Sequence, residues 1–256
     1  TERLQKLGLT VEYAPHTTDD NWNMMGSSSI TDRVDDIMTA FKDKSVKAIF
    51  TIIGGFNSNQ IIPHLDYDVI RQNPKIICGF SDITALLAAI EAKTGLEVYY
   101  GPHFSSLGMK KGCEYTLEYM EKMLFADEPV KVEPAVEWSD DLWFIDQENR
   151  EFIKNEGYWT IHAGNAEGTI KGGNLCTFNL LLGTEYRPVF EKDTILFVED
   201  FETTNPTAFD RDLQALCYQP DFQNVRALVI GRFQKKSEIS REILEFIINN
   251  KPELKD

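Results

Sequence analysis

The chain has 256 residues, 42% of them hydrophobic and 26% charged, with a formal net charge of -15. That length buries a sizeable core in one or two domains, and the composition is that of an ordinary soluble globular protein. The acidic balance excludes a nucleic-acid grip and docking on an anionic membrane, both of which need a basic face.

Ile30, Val34, Ile37, Met38 and Phe41 recur at the spacing of one helix face. The run VKAIFTII (46–53) reads as a strand buried on both faces and ends in Gly54-Gly55. KIIC (75–78) is a second such strand. Ile83, Leu86, Leu87 and Ile90 form the stripe of the helix after it, with Gly95 as C-cap. LEVYY (96–100) is a third strand, closed by Gly101-Pro102, and Tyr115 to Leu124 reads as another helix. Alternation of this kind implies an α/β fold, a parallel sheet with covering helices.

Residues 126–165 break the rhythm. They are rich in Glu, Asp, Trp and Asn, and carry Trp138, Trp143 and Trp159. The expectation is a linker plus a long loop, and its aromatics favour a functional loop over a disordered one. Beyond it lie the Gly-rich GTIKGGN (168–174), a strand TILFVED (194–200), a helix at 209–217 with Leu213 and Leu216 inward, and a strand VRALVIG (225–231). A helix at 237–250 follows, with Ser237 as expected N-cap.

Cys78, Cys113, Cys176 and Cys217 form no CxxC pair, so zinc-site spacing is absent and no metal or cofactor is expected. Scattered thiols without a signal peptide point to the cytoplasm, and no apolar run approaches membrane-spanning length.

Gly79-Phe80-Ser81-Asp82 places a Ser on the turn between a buried strand and a helix, as in the nucleophile elbow of serine hydrolases. Such a Ser stands where ligands bind in open α/β sheets, with unpaired helix N–H groups behind it. The Asp82 N–H is a natural oxyanion donor and Gly54-Gly55 a source of a second. Here Asp82 replaces the second Gly of GxSxG, and Ser before a helix is commonly only a cap, so both readings stand. Glu199-Asp200 at the end of TILFV is poorly placed for stability and well placed to orient a catalytic His, although Asp200 equally suits a cap. Of His16, His64, His103 and His162, His103 in GPHF is the best placed, yet a partly buried structural His fits it as well.

The stretches GGFNSNQIIPHLDYD, NPKIICGFSDITALLAAI, TGLEVYYGP, GTIKGGNLCTFNLLLGTEYRP and TILFVEDFE resemble the LD-carboxypeptidase family of serine peptidases over nearly the whole chain. The insertion WSDDLWFIDQENR resembles its microcin C self-immunity branch more than its murein-recycling branch. The resemblance implies a Rossmann-like nucleophile domain (1–125), the linker and Trp-bearing loop (126–165), and a smaller β-rich α+β domain (166–256). It implies a Ser-Glu-His triad with Ser81 as nucleophile and Glu199 as the carboxylate. The oxyanion hole would be the N–H groups of Gly55 and Asp82, and a homodimer is expected. The family's His lies after the final helix in a stretch D-F-G-H-T, and its first strand precedes Thr1. Neither is among these residues, so the sequence reads as trimmed at both ends, without its general base. The branch implies an aminoacyl-nucleotide substrate, with Trp138, Trp143 and Trp159 available to stack on a purine or to anchor the loop. Asn174 and Thr177 would sit on a turn facing that substrate or on an ordinary polar turn. The rival readings are a murein tetrapeptide LD-carboxypeptidase and a binding protein impaired in catalysis.

Overall fold

The computed structural model describes residues 1–18 and 22–255, and the chain divides into two compact units. Residues 1–107 with 184–187 form the first, and residues 108–183 with 188–256 the second.

In the first unit, α1 (Glu2–Lys6) and α2 (Ile30–Lys42) precede β1 (Ala48–Phe50), and α3 (Tyr67–Gln72) leads into β2 (Ile76–Gly79). A short 3-10 turn then opens α4 (Thr84–Thr94), and β3 (Tyr99–Tyr100) follows. The three strands make a parallel sheet in the order β1-β2-β3, with Phe50 opposite Cys78 and Gly79 opposite Tyr100. β2 is largely buried, but β1 and β3 are half-buried and Ile52 and Ile53 beyond β1 are exposed, so the run at 46–53 is not a strand covered on both faces as expected. Met38, Phe41, Ile70, Ile77, Leu86 and Ile90 form the core. Every residue from Thr84 to Ile90 is buried, because alanines at 85, 88 and 89 fill what the predicted stripe left over. A helix that is apolar all round belongs inside. Gly95 closes it at φ 74°, donating to Glu91 O at 2.8 Å, as a left-handed C-cap should.

The second unit holds α5 (Glu114–Phe125), β4 (Glu137–Trp138), β5 (Ile153–Lys154), β6 (Thr169–Asn174), α6 (Leu175–Asn179), β7 (Thr194–Glu199), α7 (Pro206–Cys217), β8 (Val225–Ile230) and α8 (Arg241–Asn249). Its main sheet is also parallel, in the order β6-β7-β8, over a core that includes Leu175, Phe178, Leu196, Val198, Phe209 and Leu213. The Gly-rich segment forms β6 from Thr169 to Asn174. A Cβ at Gly172 would come 1.8 Å from Phe197 O, so glycine there lets β6 run close against β7. In β7 burial alternates, with Thr194, Leu196 and Val198 buried.

Two further expectations are corrected. Residues 126–165 are not loop throughout, because β4 and β5 pair antiparallel, Trp138 opposite Ile153. The cap of α8 is Ser240, whose Oγ accepts from the Ile243 N–H at 3.3 Å. Ser237 sits in a separate 3-10 turn, donating to Gln234 O, and Glu238 at φ 58° breaks the chain between the two serines. Among the described residues no helix is long and apolar enough to cross a membrane, and no group of three or more His, Cys, Asp or Glu could hold a metal ion.

Candidate active site

The first unit builds a corner around Ser81. Strand β2 ends at Gly79, and Ser81 takes φ 60°, a left-handed conformation that costs a non-glycine residue of order 1–3 kcal/mol. The Ser81 N–H donates to Tyr100 Oη at 2.9 Å, which ties the turn to the end of β3. The cap reading of Ser81 is not realised. The 3-10 turn and α4 start without a side-chain cap, and Ser81 Oγ makes no hydrogen bond among the described residues.

The Gly54-Gly55 turn lies against Ser81. A Cβ on Gly54 would fall 3.2 Å from Ser81 Cβ and 3.3 Å from both Ser81 Oγ and His103 Nε2. Gly55 sits at φ 130°, beyond the comfortable reach of an L side chain. Asp82 holds this turn in place. Its buried carboxylate accepts from the Ser58 N–H at 2.8 Å, and the Ser58 hydroxyl donates to the Asp82 carbonyl. Among the described residues no acceptor takes the N–H of Gly55 or of Asp82.

His103 is packed into the same corner, 3% exposed. Its ring stacks on Phe80 at 4.0 Å and its Nδ1 is 2.9 Å from Thr51 Oγ1. Burial pushes the imidazole down to about 4, so it is neutral at ordinary pH. Thr51, Ser58 and Tyr100 were not singled out from the sequence. Thr51 and Tyr100 carry a weak signal, since each ends or follows a strand beside a glycine turn, and Ser58 carries none.

The second unit builds a corner around Glu199, the last residue of β7. Register sets Asn174 opposite it on β6. Asn174 is 1% exposed and caps α6, its Oδ1 accepting from the Thr177 N–H at 3.1 Å and the Thr177 hydroxyl at 2.8 Å. Its Nδ2 donates to Glu199 Oε1 at 3.0 Å. The turn expected at Asn174 and Thr177 is thus a buried helix cap that also holds the Glu199 carboxylate. On the other side, a Cβ at Gly231 would meet Glu199 Cβ at 2.6 Å, so glycine makes room for the Glu199 stem. Asp200 is buried, accepts from the Phe201 N–H at 2.9 Å, and has its carboxyl pushed up by desolvation.

The three tryptophans lie in the second unit but do not form one cluster. Trp138 carries the Arg232 guanidinium over its ring at 4.8 Å, and Trp159, 40% exposed, carries that of Arg241 at 5.5 Å. Trp143 meets Phe144 edge to face at 5.9 Å. Arginine over an indole is a cation–π contact, and it steadies a large aromatic face near solvent.

Residues 1–101 match the family model described as the LD-carboxypeptidase N-terminal domain, and residues 167–255 match that of the LD-carboxypeptidase C-terminal domain. "Putative carboxypeptidase YocD" of Bacillus subtilis (strain 168) is 52% identical over 251 residues, covering 98% of this chain and 76% of that protein. The crystal structure of an MccF-like protein from Bacillus anthracis str. Ames superposes with a TM-score of 0.95 at 51% identity, covering 99% of this chain and 77% of that one. The microcin C7 self-immunity protein MccF in complex with aspartyl sulfamoyl adenosine superposes with a TM-score of 0.84 at 31% identity, covering 97% of this chain and 77% of that one. The chain therefore belongs to the LD-carboxypeptidase family, a family of hydrolases, and MccF-like proteins are among its relatives.

Proposed function

We propose that Ser81 is the nucleophile of a serine amidase. The observation that carries this is a Ser forced to φ 60° beside a glycine turn, its Oγ and the N–H groups of Gly55 and Asp82 all without hydrogen-bond partners among the described residues. A cap would need neither the strain nor the glycines. In the acyl route, Ser81 Oγ attacks the scissile carbonyl and passes its proton to a histidine base. The N–H groups of Gly55 and Asp82 receive the oxyanion. The amine leaves with the proton returned by the base, and water then cleaves the acyl–Ser81 ester by the same path in reverse. Glu199, held by Asn174, orients and stabilises the imidazolium.

The substrate we propose is a microcin C-type aminoacyl nucleotide, cut at the amide between the amino-acid carboxyl and the nucleotide moiety. One observation supports it: MccF, a relative, has a solved structure in complex with aspartyl sulfamoyl adenosine. Trp138, Trp143 and Trp159 are the candidates to stack on the purine. The family's carboxypeptidase description supports a murein tetrapeptide as the second reading.

The test uses the full-length protein with an aminoacyl sulfamoyl adenosine and a murein tetrapeptide side by side. Ser81→Ala should lower hydrolysis by about a thousandfold or more. Retention within about tenfold, a barrier change of only about 1.4 kcal/mol, would remove Ser81 as nucleophile. Cleavage of the tetrapeptide alone would overturn the nucleotide assignment. Binding without turnover of either would mean a sequestering protein on this scaffold.

A further inference from the structure

His103 is a buried titratable side chain that the acyl route above leaves unused. Its Nε2 is enclosed by protein yet makes no hydrogen bond among the described residues. A buried nitrogen without a hydrogen-bond partner is costly, so each one calls for a reason. Ser81 stands on the same glycine turn. His103 Nε2 and Ser81 Oγ would each lie 3.3 Å from a Cβ on Gly54, so the two atoms flank the same glycine.

The proton on the ring is set against Thr51, whose hydroxyl lies 2.9 Å from His103 Nδ1 and 3.4 Å from Cys78 O. With Nδ1 accepting the hydroxyl proton, the neutral ring carries its hydrogen on Nε2; with Nδ1–H donating to the hydroxyl, the hydroxyl donates to Cys78 O and Nε2 is bare. The first arrangement is the one that gives Nε2 a hydrogen to donate.

We propose that His103 is a positioning residue for Ser81: its Nε2–H donates to Ser81 Oγ when that side chain turns toward Gly54. This rests on the reading of Ser81 as nucleophile. Accepting one hydrogen bond fixes the Oγ rotamer and leaves the hydroxyl's own proton for the base. Two glycines keep the arrangement open. A Cβ on Gly79 would fall 2.3 Å from Thr51 Oγ1 and displace the Thr51–His103 pair, and one on Gly54 would fill the gap between Ser81 and His103. The first Gly of GFSD thus serves the histidine as well as the turn.

Two variants of the full-length protein separate this role from a structural one. His103→Leu keeps the volume and removes both nitrogens, while His103→Gln returns an N–H near the Nε2 position. On whichever amide the wild type hydrolyses, His103→Leu should lower kcat about tenfold with KM nearly constant, and His103→Gln should recover most of it. The acid limb of the pH profile should be the same in wild type and both variants. A Leu variant as fast as wild type, a Gln variant as slow as Leu, or an acid limb lost in either overturns the proposal.

Nitrogen-15 NMR of His103 reads the contact without turnover, and so stands even if a variant folds poorly. The Nε2-protonated tautomer should appear, and its resonance should move in Ser81→Ala. An Nδ1-protonated ring, or a resonance indifferent to Ser81, overturns the positioning role while leaving the nucleophile reading intact. A Ser81→Ala protein with full activity would instead remove the nucleophile and leave the NMR result interpretable.

Discussion

Each unit turns a parallel strand toward a helix at a polar residue, directly at Asn174 and through a 3-10 turn at Ser81, and the two treat that residue in opposite ways. In the second unit Asn174 leaves β6 at φ -67°, caps α6, and gives its remaining donor to Glu199. In the first, Ser81 follows β2 at φ 60°, caps nothing, and keeps its hydroxyl unbonded among the described residues. Local sequence offers both residues the same employment, because Ser and Asn are equally good caps. The difference lies in backbone strain, and strain persists only where the surroundings enforce it. Tyr100, Gly54 and Ser58 enforce it at Ser81. A polar residue that is strained and unspent is available for chemistry, whereas one that is relaxed and spent holds something else in place.

The sharpest way to break this contrast is at Ser81 itself. Ser81→Gly should lose hydrolysis as fully as Ser81→Ala, by about a thousandfold. It should also raise stability by about 1 kcal/mol, since glycine relieves the left-handed strain. Urea titration of the two variants checks this. If Ser81→Gly is less stable than wild type, the strain argument fails and Ser81 is a structural residue after all.

Much of the architecture was legible in the sequence, because short apolar runs and 3.6-residue stripes are local signals. The α4 stripe, the left-handed Gly95, and the strands at 76–79 and 194–199 follow from them directly. What escaped was decided by partners distant in sequence. Two-residue strands such as β4 and β5 have no period to read, and only pairing defines them. Ser237 and Ser240 are locally interchangeable caps until Glu238 turns left-handed. For the candidate site, the motifs drew attention to Ser81, Gly55, Asp82 and Glu199 but gave no sign that Asn174 binds Glu199 or that Thr51 meets His103. Those pairs are set by strand register and by which ends of the sheet meet.

The second test is pH, and it acts on the first corner. His103 has its pKa pushed from an ordinary 6.5 down to about 4 by burial. The unfolded chain therefore binds this proton first as pH falls. The resulting stability is complete above 6.5, declines between 6.5 and 4, and amounts to about 3 kcal/mol lost at the acid end. Denaturant titrations of wild type and His103→Gln from pH 7 to pH 4 should converge as the pH falls, because the variant lacks this proton. Parallel curves would mean that His103 is not buried in solution.

A smaller effect is expected at the second corner. Asn174→Ala removes the cap of α6 and should cost about 1–2 kcal/mol, in contrast to the gain expected for Ser81→Gly. It also leaves Glu199 without its Asn174 donor, so activity should fall with kcat rather than KM. An Asn174→Asp variant separates the two roles. Asp caps as well as Asn but presents a second carboxylate to Glu199, so it should keep the helix and still lose rate. A variant that keeps both would leave Asn174 as a cap alone.

The smallest expected change concerns Asp200, next to Glu199 and opposite in sign to His103. Desolvation raises its carboxyl pKa, so the folded chain holds that proton more tightly than the unfolded one. Its contribution is therefore most favourable below the ordinary carboxylate range and is lost as pH rises through the raised folded value. Near neutral pH the buried charge is a liability that Asp200→Asn removes, while the amide oxygen still accepts from the Phe201 N–H. The variant should gain stability on the order of 1 kcal/mol at pH 7 and nothing at pH 3. If activity is kept, the Glu199-Asp200 pair divides cleanly, with Glu199 serving the reaction and Asp200 serving the turn. If activity is lost while stability rises, the buried negative charge beside Glu199 belongs to the site, and the second corner is as strained in charge as the first is in backbone.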